Sequence, residues 1–134
     1  MALERRGSHK DLILWRKAMD LATDVHRLTR ALPSHEMFGL ISQIRRSAVS
    51  IPSNVAEGTA RRTTREFLAF LHIARGSSAE LDTQLQLARN VGYLSESDLA
   101  PVIVRLDEVG RLLNAVINGL RQRQQPASSL SPLP

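Results

Sequence analysis

Gln43, Arg46, Ser50, Asn54 and Glu57 follow one another at steps of three, four, four and three residues. That spacing stacks them along one face of a helix. A guanidinium, a hydroxyl, an amide and a carboxylate in one row can hold a small polar ligand, a nucleic acid or a protein partner. The row also has a structural reading. Pro52 lies within it and removes a backbone donor. Arg46, Ser50, Asn54 and Glu57 are therefore expected to form a structural polar network that satisfies the freed backbone groups, with Glu57 neutralising an arginine. Glu80 and Gln84, four apart further along the chain, are its expected partners.

A second group is basic. Arg61, Arg62 and Arg65 fall within a short stretch whose carboxylates are Glu57 and Glu66. Arg45 and Arg46 precede them, and Arg75 follows. Guanidinium forks match the geometry of phosphate oxygens, and a helix N-terminus adds positive character. Arg45, Arg61, Arg62, Arg65 and Arg75 are the expected contacts to nucleic acid. An ordinary solvated loop is the competing reading. Aromatics are only 4% of the chain, which leaves few platforms for stacking bases. Binding by such a surface reads backbone rather than sequence.

Catalytic chemistry finds less support. None of His9, His26, His35 and His72 follows a carboxylate by three residues, as in di-iron bundles, and none pairs with another at a spacing of four. There is no cysteine, which excludes disulfides, thiolate metal sites and thiol nucleophiles. No enzyme activity, metal or cofactor is expected.

The chain has 134 residues, enough for one domain, and 43% are hydrophobic. Its net charge is +5 and its pI about 10.9. Arginine supplies 16 of the 18 basic residues. Phosphate recognition explains that bias, and so does GC-rich codon usage. No apolar run approaches the roughly 20 residues of a membrane span, and the charged N-terminus lacks a signal-peptide core. A cytoplasmic protein is expected.

These side chains need helices to position them. Residues 1–10 read as a flexible leader and 125–134 as a disordered Pro/Ser-rich tail. Between them, Asp11 is placed to cap a helix running to about Leu32, with Leu14, Ala18, Leu21, Val25, Leu28 and Leu32 as its seam. Ser34 is placed to cap a second, with Met37, Leu40, Ile41, Ile44, Ala48, Ile51 and Val55 inward, a kink at Pro52 and Gly58 as terminator. Thr63 and Glu66 form a capping box for a third helix, with Phe67, Leu71, Ala74, Ser78, Leu81, Leu85 and Ala88 inward and Gly92 at its end. Ser95 and Asp98 open a fourth, with Leu99, Val102, Leu106, Val109, Leu113, Val116 and Leu120 inward. The expectation is an all-α, antiparallel up-down four-helix bundle over 11–124. Trp15, Met19, Phe70, Ile73, Leu87, Val91, Ile103 and Ile117 exceed one seam per helix, which points to self-association.

The stretches QIRRSAVSIPSNVAEG at 43–58, DLILWRKAMDLA at 11–22, FLHIARGSSAELDTQL at 70–85 and the later GYL resemble the bacterial 23S rRNA intervening-sequence proteins. The similarity runs in order from about Asp11 to Leu120. It implies an up-down four-helix bundle and a homopentameric ring, and implies no known reaction. The accessory protein of diversity-generating retroelements, a basic bundle that binds nucleic acid and a reverse transcriptase, is a remoter likeness. Together these give a non-enzymatic, homo-oligomeric basic bundle that binds RNA or DNA, structured RNA foremost. A protein-interaction scaffold with incidental charge is the alternative.

Overall fold

Apolar residues at helical period can be buried only by packing one stripe on another, and four such stripes here give four helices. The computed structural model describes residues 8, 9 and 12–124. Helix α1 spans Ile13–Leu28, α2 Leu40–Thr59, α3 Thr64–Asn90 and α4 Glu96–Gln124, and the described residues contain no strand. The expected leader, tail and Asp11 cap lie outside the described residues.

Helix α1 packs on α2 and α4, and α3 packs on the same two, so the four helices close around one core. Leu21, Val25, Ile44, Ile51, Val55, Phe67, Leu71, Leu81, Leu85 and Leu113 are fully buried there. Each such side chain contributes roughly 1.5–3 kcal/mol by leaving water. Lys17 pairs with Glu108 at 3.6 Å and Asp24 with Arg105 at 2.7 Å, tying α1 to α4 at two heights. No helix among the described residues is long and apolar enough to cross a membrane.

The capping expectations hold where the signal is local. Glu66 N donates to Thr63 Oγ1 at 3.1 Å, and Thr63 Oγ1 donates to the Glu66 carboxylate at 3.1 Å. Asp98 N donates to Ser95 Oγ at 3.0 Å. Gly92 sits at φ +89°, with its N–H on the Arg89 carbonyl and that of Tyr93 on the Ala88 carbonyl. That pair of bonds is a Schellman motif.

Elsewhere the structure corrects the reading. Helix α1 ends at Leu28 and tightens into a 3₁₀ turn at Thr29–Ala31. Leu32 is extended, as a residue before proline prefers. A second 3₁₀ turn occupies Ser34–Glu36, so α2 starts six residues after Ser34, and the Glu36 carboxylate takes the Leu40 N–H at 3.2 Å. Met37 is thereby left outside the helix and 45% exposed. The α3 and α4 seams pass through buried Ser77 and Ile117, not Ser78 and Val116.

Gly58 does not end α2; it is buried within its last turn. A Cβ there would stand 2.6 Å from Phe67 Cδ1 and 3.1 Å from Phe70 Cβ. The missing side chain lets α3 close against the end of α2. Helix α2 stays helical on both sides of Pro52, whose ring is buried.

Candidate nucleic-acid interface

The polar row of α2 divides into a centre and two ends. At the centre, Ser50 Oγ lies 2.8 Å from Ser77 Oγ on α3, and Asn54 Nδ2 donates to the Ser50 carbonyl at 2.8 Å and its hydroxyl at 2.9 Å. The carbonyl that Pro52 deprives of its donor belongs to Ala48, two residues before the one Asn54 reaches. Arg46 lines a cleft of about 300 Å³ with Gln43, Ser47, Ser77, Glu80 and Gln84. Glu57 takes no part in that group and pairs with Arg61 at 3.6 Å.

The arginines occupy three places. Arg61, Arg62 and Arg65 are exposed around the α2–α3 connection and the first turn of α3. Arg61 is held there twice, by Glu57 and by the Phe70 ring, whose centroid lies 4.8 Å from its guanidinium carbon. Gly58 sets that ring's position by admitting it close to α2. Arg45 lies about 20 Å of helix away from this connection. Its Nε donates to Thr29 Oγ1 at 2.9 Å and its Nη2 to the His26 carbonyl at 3.5 Å, which fastens the end of α1 to α2.

Arg75 belongs to a third group, on the α3–α4 face. Its Nη1 donates to Asn114 Oδ1 at 3.4 Å, and its Nη2 lies 3.0 Å from His72 Nδ1. Arg121 Nη2 lies 3.3 Å from the other ring nitrogen, Nε2. Burial first, then the Arg75 and Arg121 charges, hold His72 below the usual histidine range. No sequence pattern marks His72 or Arg121, since the two are brought together only by packing.

The family's sequence profile, described as 23S rRNA-intervening sequence protein, matches residues 10–115. The chain belongs to this family. The solved structure of a protein of unknown function from the S23 ribosomal protein family of Bacteroides thetaiotaomicron superposes with a TM-score of 0.73 at 24% identity. The alignment covers 78% of this chain and 98% of that one, and establishes a shared fold. No curated protein matches the chain in sequence.

In this family member the basic groups share a flank with little acid. Phe67 at the start of α3 lines one groove with Val116, Leu120 and Arg123 near the end of α4. The first half of α3 and the second half of α4 are therefore neighbours. Residues 57–79 and 109–124 hold seven arginines against Glu57 and Glu66, a net of +5 that equals the net charge of the whole chain. Residues 67–79 and 109–124 contain no carboxylate side chain. Among the described residues, no three histidine or carboxylate side chains gather as a metal set would. The flank's chemistry is that of anion binding: fixed cations, few counter-charges, and guanidinium N–H groups facing outward.

Proposed function

We propose that this protein binds nucleic acid, structured RNA above all, through arginine–phosphate contacts on its α3–α4 flank, acting by binding rather than catalysis. The observation that carries the proposal is the gathering of seven arginines, net +5 with Glu57 and Glu66, along the end of α2, the α2–α3 connection, the first half of α3 and the second half of α4. Phosphate charge dominates such affinities, so a surface of this kind needs no base-specific contact. Arg61, Arg62, Arg65 and Arg75 belong to this surface. Arg45, turned toward α1, serves the fold.

The binding unit in this reading is a homo-oligomer, a pentamer by family resemblance. Met19, Val49, Ile73, Leu87 and Val91 are each 40–53% exposed, and packing between subunits would remove their apolar surface from water. Trp15, Met19, Val49 and Pro52 line a groove of about 530 Å³ between α1 and α2. Repetition of a weak phosphate patch around a ring raises its avidity without any new contact.

One observation favours the scaffold alternative. Phe38 is 97% exposed beside Met37 on the α1–α2 connection, distant along α2 from the arginine loop. An exposed aromatic of that kind is a common anchor for another protein. Binding of a structured RNA across several salt concentrations separates the two: affinity that falls steeply with salt supports the phosphate reading. No binding at low salt moves the function to the scaffold.

A further inference from the structure

His72 stands between two guanidiniums. Arg75 Nη2 approaches its Nδ1 at 3.0 Å and Arg121 Nη2 approaches its Nε2 at 3.3 Å. Guanidinium nitrogens only donate. A neutral imidazole accepts at one nitrogen and carries a proton on the other, and an imidazolium accepts at neither. One of the two contacts is therefore donor against donor in every accessible protonation state. Asn114 Oδ1 relieves Arg75 through a different nitrogen, at 3.4 Å, and leaves the conflict at the ring untouched. Relief from a carboxylate is not at hand on these half-helices: residues 67–79 of α3 and 109–124 of α4 contain none. Among the described residues, the charged groups facing the ring are Arg75 from α3 and Arg121 from α4.

The arrangement is one acceptor short and two positive charges over. A tetrahedral oxyanion corrects both faults at once. Its oxygens accept from Arg75, from Arg121 and from a ring N–H of His72, and charge-assisted bonds of this type are the strong ones. Seated there, the anion also reverses the electrostatics at the ring, since a nearby negative charge favours the protonated imidazole. Binding and protonation then reinforce each other, and affinity rises as the pH falls through the histidine range.

We propose that His72, Arg75 and Arg121 form a notch for a single phosphate group, with the imidazole as its proton-bearing floor. The notch deepens the nucleic-acid reading above and rests on it for the source of the phosphate, a backbone phosphodiester. Its geometry stands apart from the Arg61, Arg62 and Arg65 patch, so the two can fail separately.

The test is an NMR titration of the full chain carrying ¹³C-labelled histidine, with His72 assigned through His72→Gln. Its apparent pKa is measured in chloride, in inorganic phosphate, and with a short oligouridylate that lacks terminal phosphates, all at equal ionic strength. The expected result is a rise of about half a pH unit or more with either ligand, abolished in Arg75→Gln and in Arg121→Gln. A response to inorganic phosphate alone supports the notch and overturns the phosphodiester as its occupant. A His72 pKa that stays unchanged with both ligands overturns the notch. If the oligonucleotide still binds in that case, the wider phosphate reading survives without it.

Discussion

Ser50 and Ser77 meet hydroxyl to hydroxyl at 2.8 Å across the contact of α2 and α3, and Asn54 closes the group by donating to both the oxygen and the carbonyl of Ser50. Small side chains allow the two helices to come close at that level, and the amide satisfies what the approach buries. Removing a member of such a group strands its partner. Asn54→Ala is expected to cost about 1–3 kcal/mol of stability, read from urea or thermal unfolding. Glu57→Ala, at an exposed ion pair, is expected to change stability by less than about 1 kcal/mol. Two variants that unfold like the parent yet lose binding would make the row a functional site.

Gly58 and Gly76 should respond in opposite directions to the same substitution. A methyl at Gly58 meets the Phe67 ring at 2.6 Å, and that ring is 1% exposed. Gly58→Ala should destabilise by about 1–3 kcal/mol. Gly76 has nothing within 4 Å of the same added carbon. Gly76→Ala should stabilise by about 0.5–1 kcal/mol through helix propensity alone. Equal effects in paired melts would refute the close packing of α2 on α3.

Most of the fold could be read from the sequence because its signals are local. The Thr63–Glu66 box and the Gly92 stop each depend on residues a few positions apart, and both formed as expected. The misplaced seam position in α4 arose from period. An alternation of three and four averages 3.5 residues per turn, whereas a straight helix needs 3.6. Over α4 the difference accumulates until an extra step of four carries the seam from Leu113 to Ile117. The site was less legible. Arg75 stood out as a basic residue, but Arg121 on the neighbouring α4 and the imidazole between the two arginines follow from tertiary packing. Arg45 looked like its neighbours in sequence, and only the position of Thr29 shows what it holds.

The arginine loop can be tested by its dependence on salt. Arg61→Ala, Arg62→Ala and Arg65→Ala combined should weaken RNA binding and flatten the log-log salt slope. The expected change is roughly 0.7 per lost phosphate contact for single strands and 0.9 for duplex. Folding should persist, because all three side chains are exposed. An unchanged slope with unchanged affinity would remove the loop from the interface.

Self-association is expected at micromolar concentration, with a pentamer as the assembly. Light scattering should give a mass well above the 14.9 kDa of one chain. Met19→Glu and Ile73→Glu, two exposed apolar positions on different helices, test which faces take part. A parent that scatters as a single chain would end the ring hypothesis.

Glu36 supplies a pH prediction. The Leu40 N–H first, then the Tyr93 hydroxyl, hold its carboxyl below the usual glutamate range. The folded pKa is thus depressed, so its contribution to stability is present above about pH 4.5 and is lost as the pH falls through the folded value. Glu36→Gln should flatten that acid limb of the stability profile and leave the neutral region less affected. An acid limb of unchanged shape would show that the Glu36 cap adds nothing to folding.

The gathering of seven arginines on the α2–α3 connection and the adjoining halves of α3 and α4 has an effect before any contact is made. Charge so unevenly spread gives the molecule an electric dipole. In the field of a polyanion a dipole turns, so a protein that binds nucleic acid as proposed would arrive with its arginine flank leading. Such steering accelerates encounter by roughly ten- to a thousandfold at low ionic strength and fades as salt shortens the reach of the field. Moving a few of these arginines to the opposite half of the bundle would leave the net charge at +5 and the bulk electrophoretic behaviour nearly the same. The association rate would fall all the same, because the molecule would no longer know which way to face.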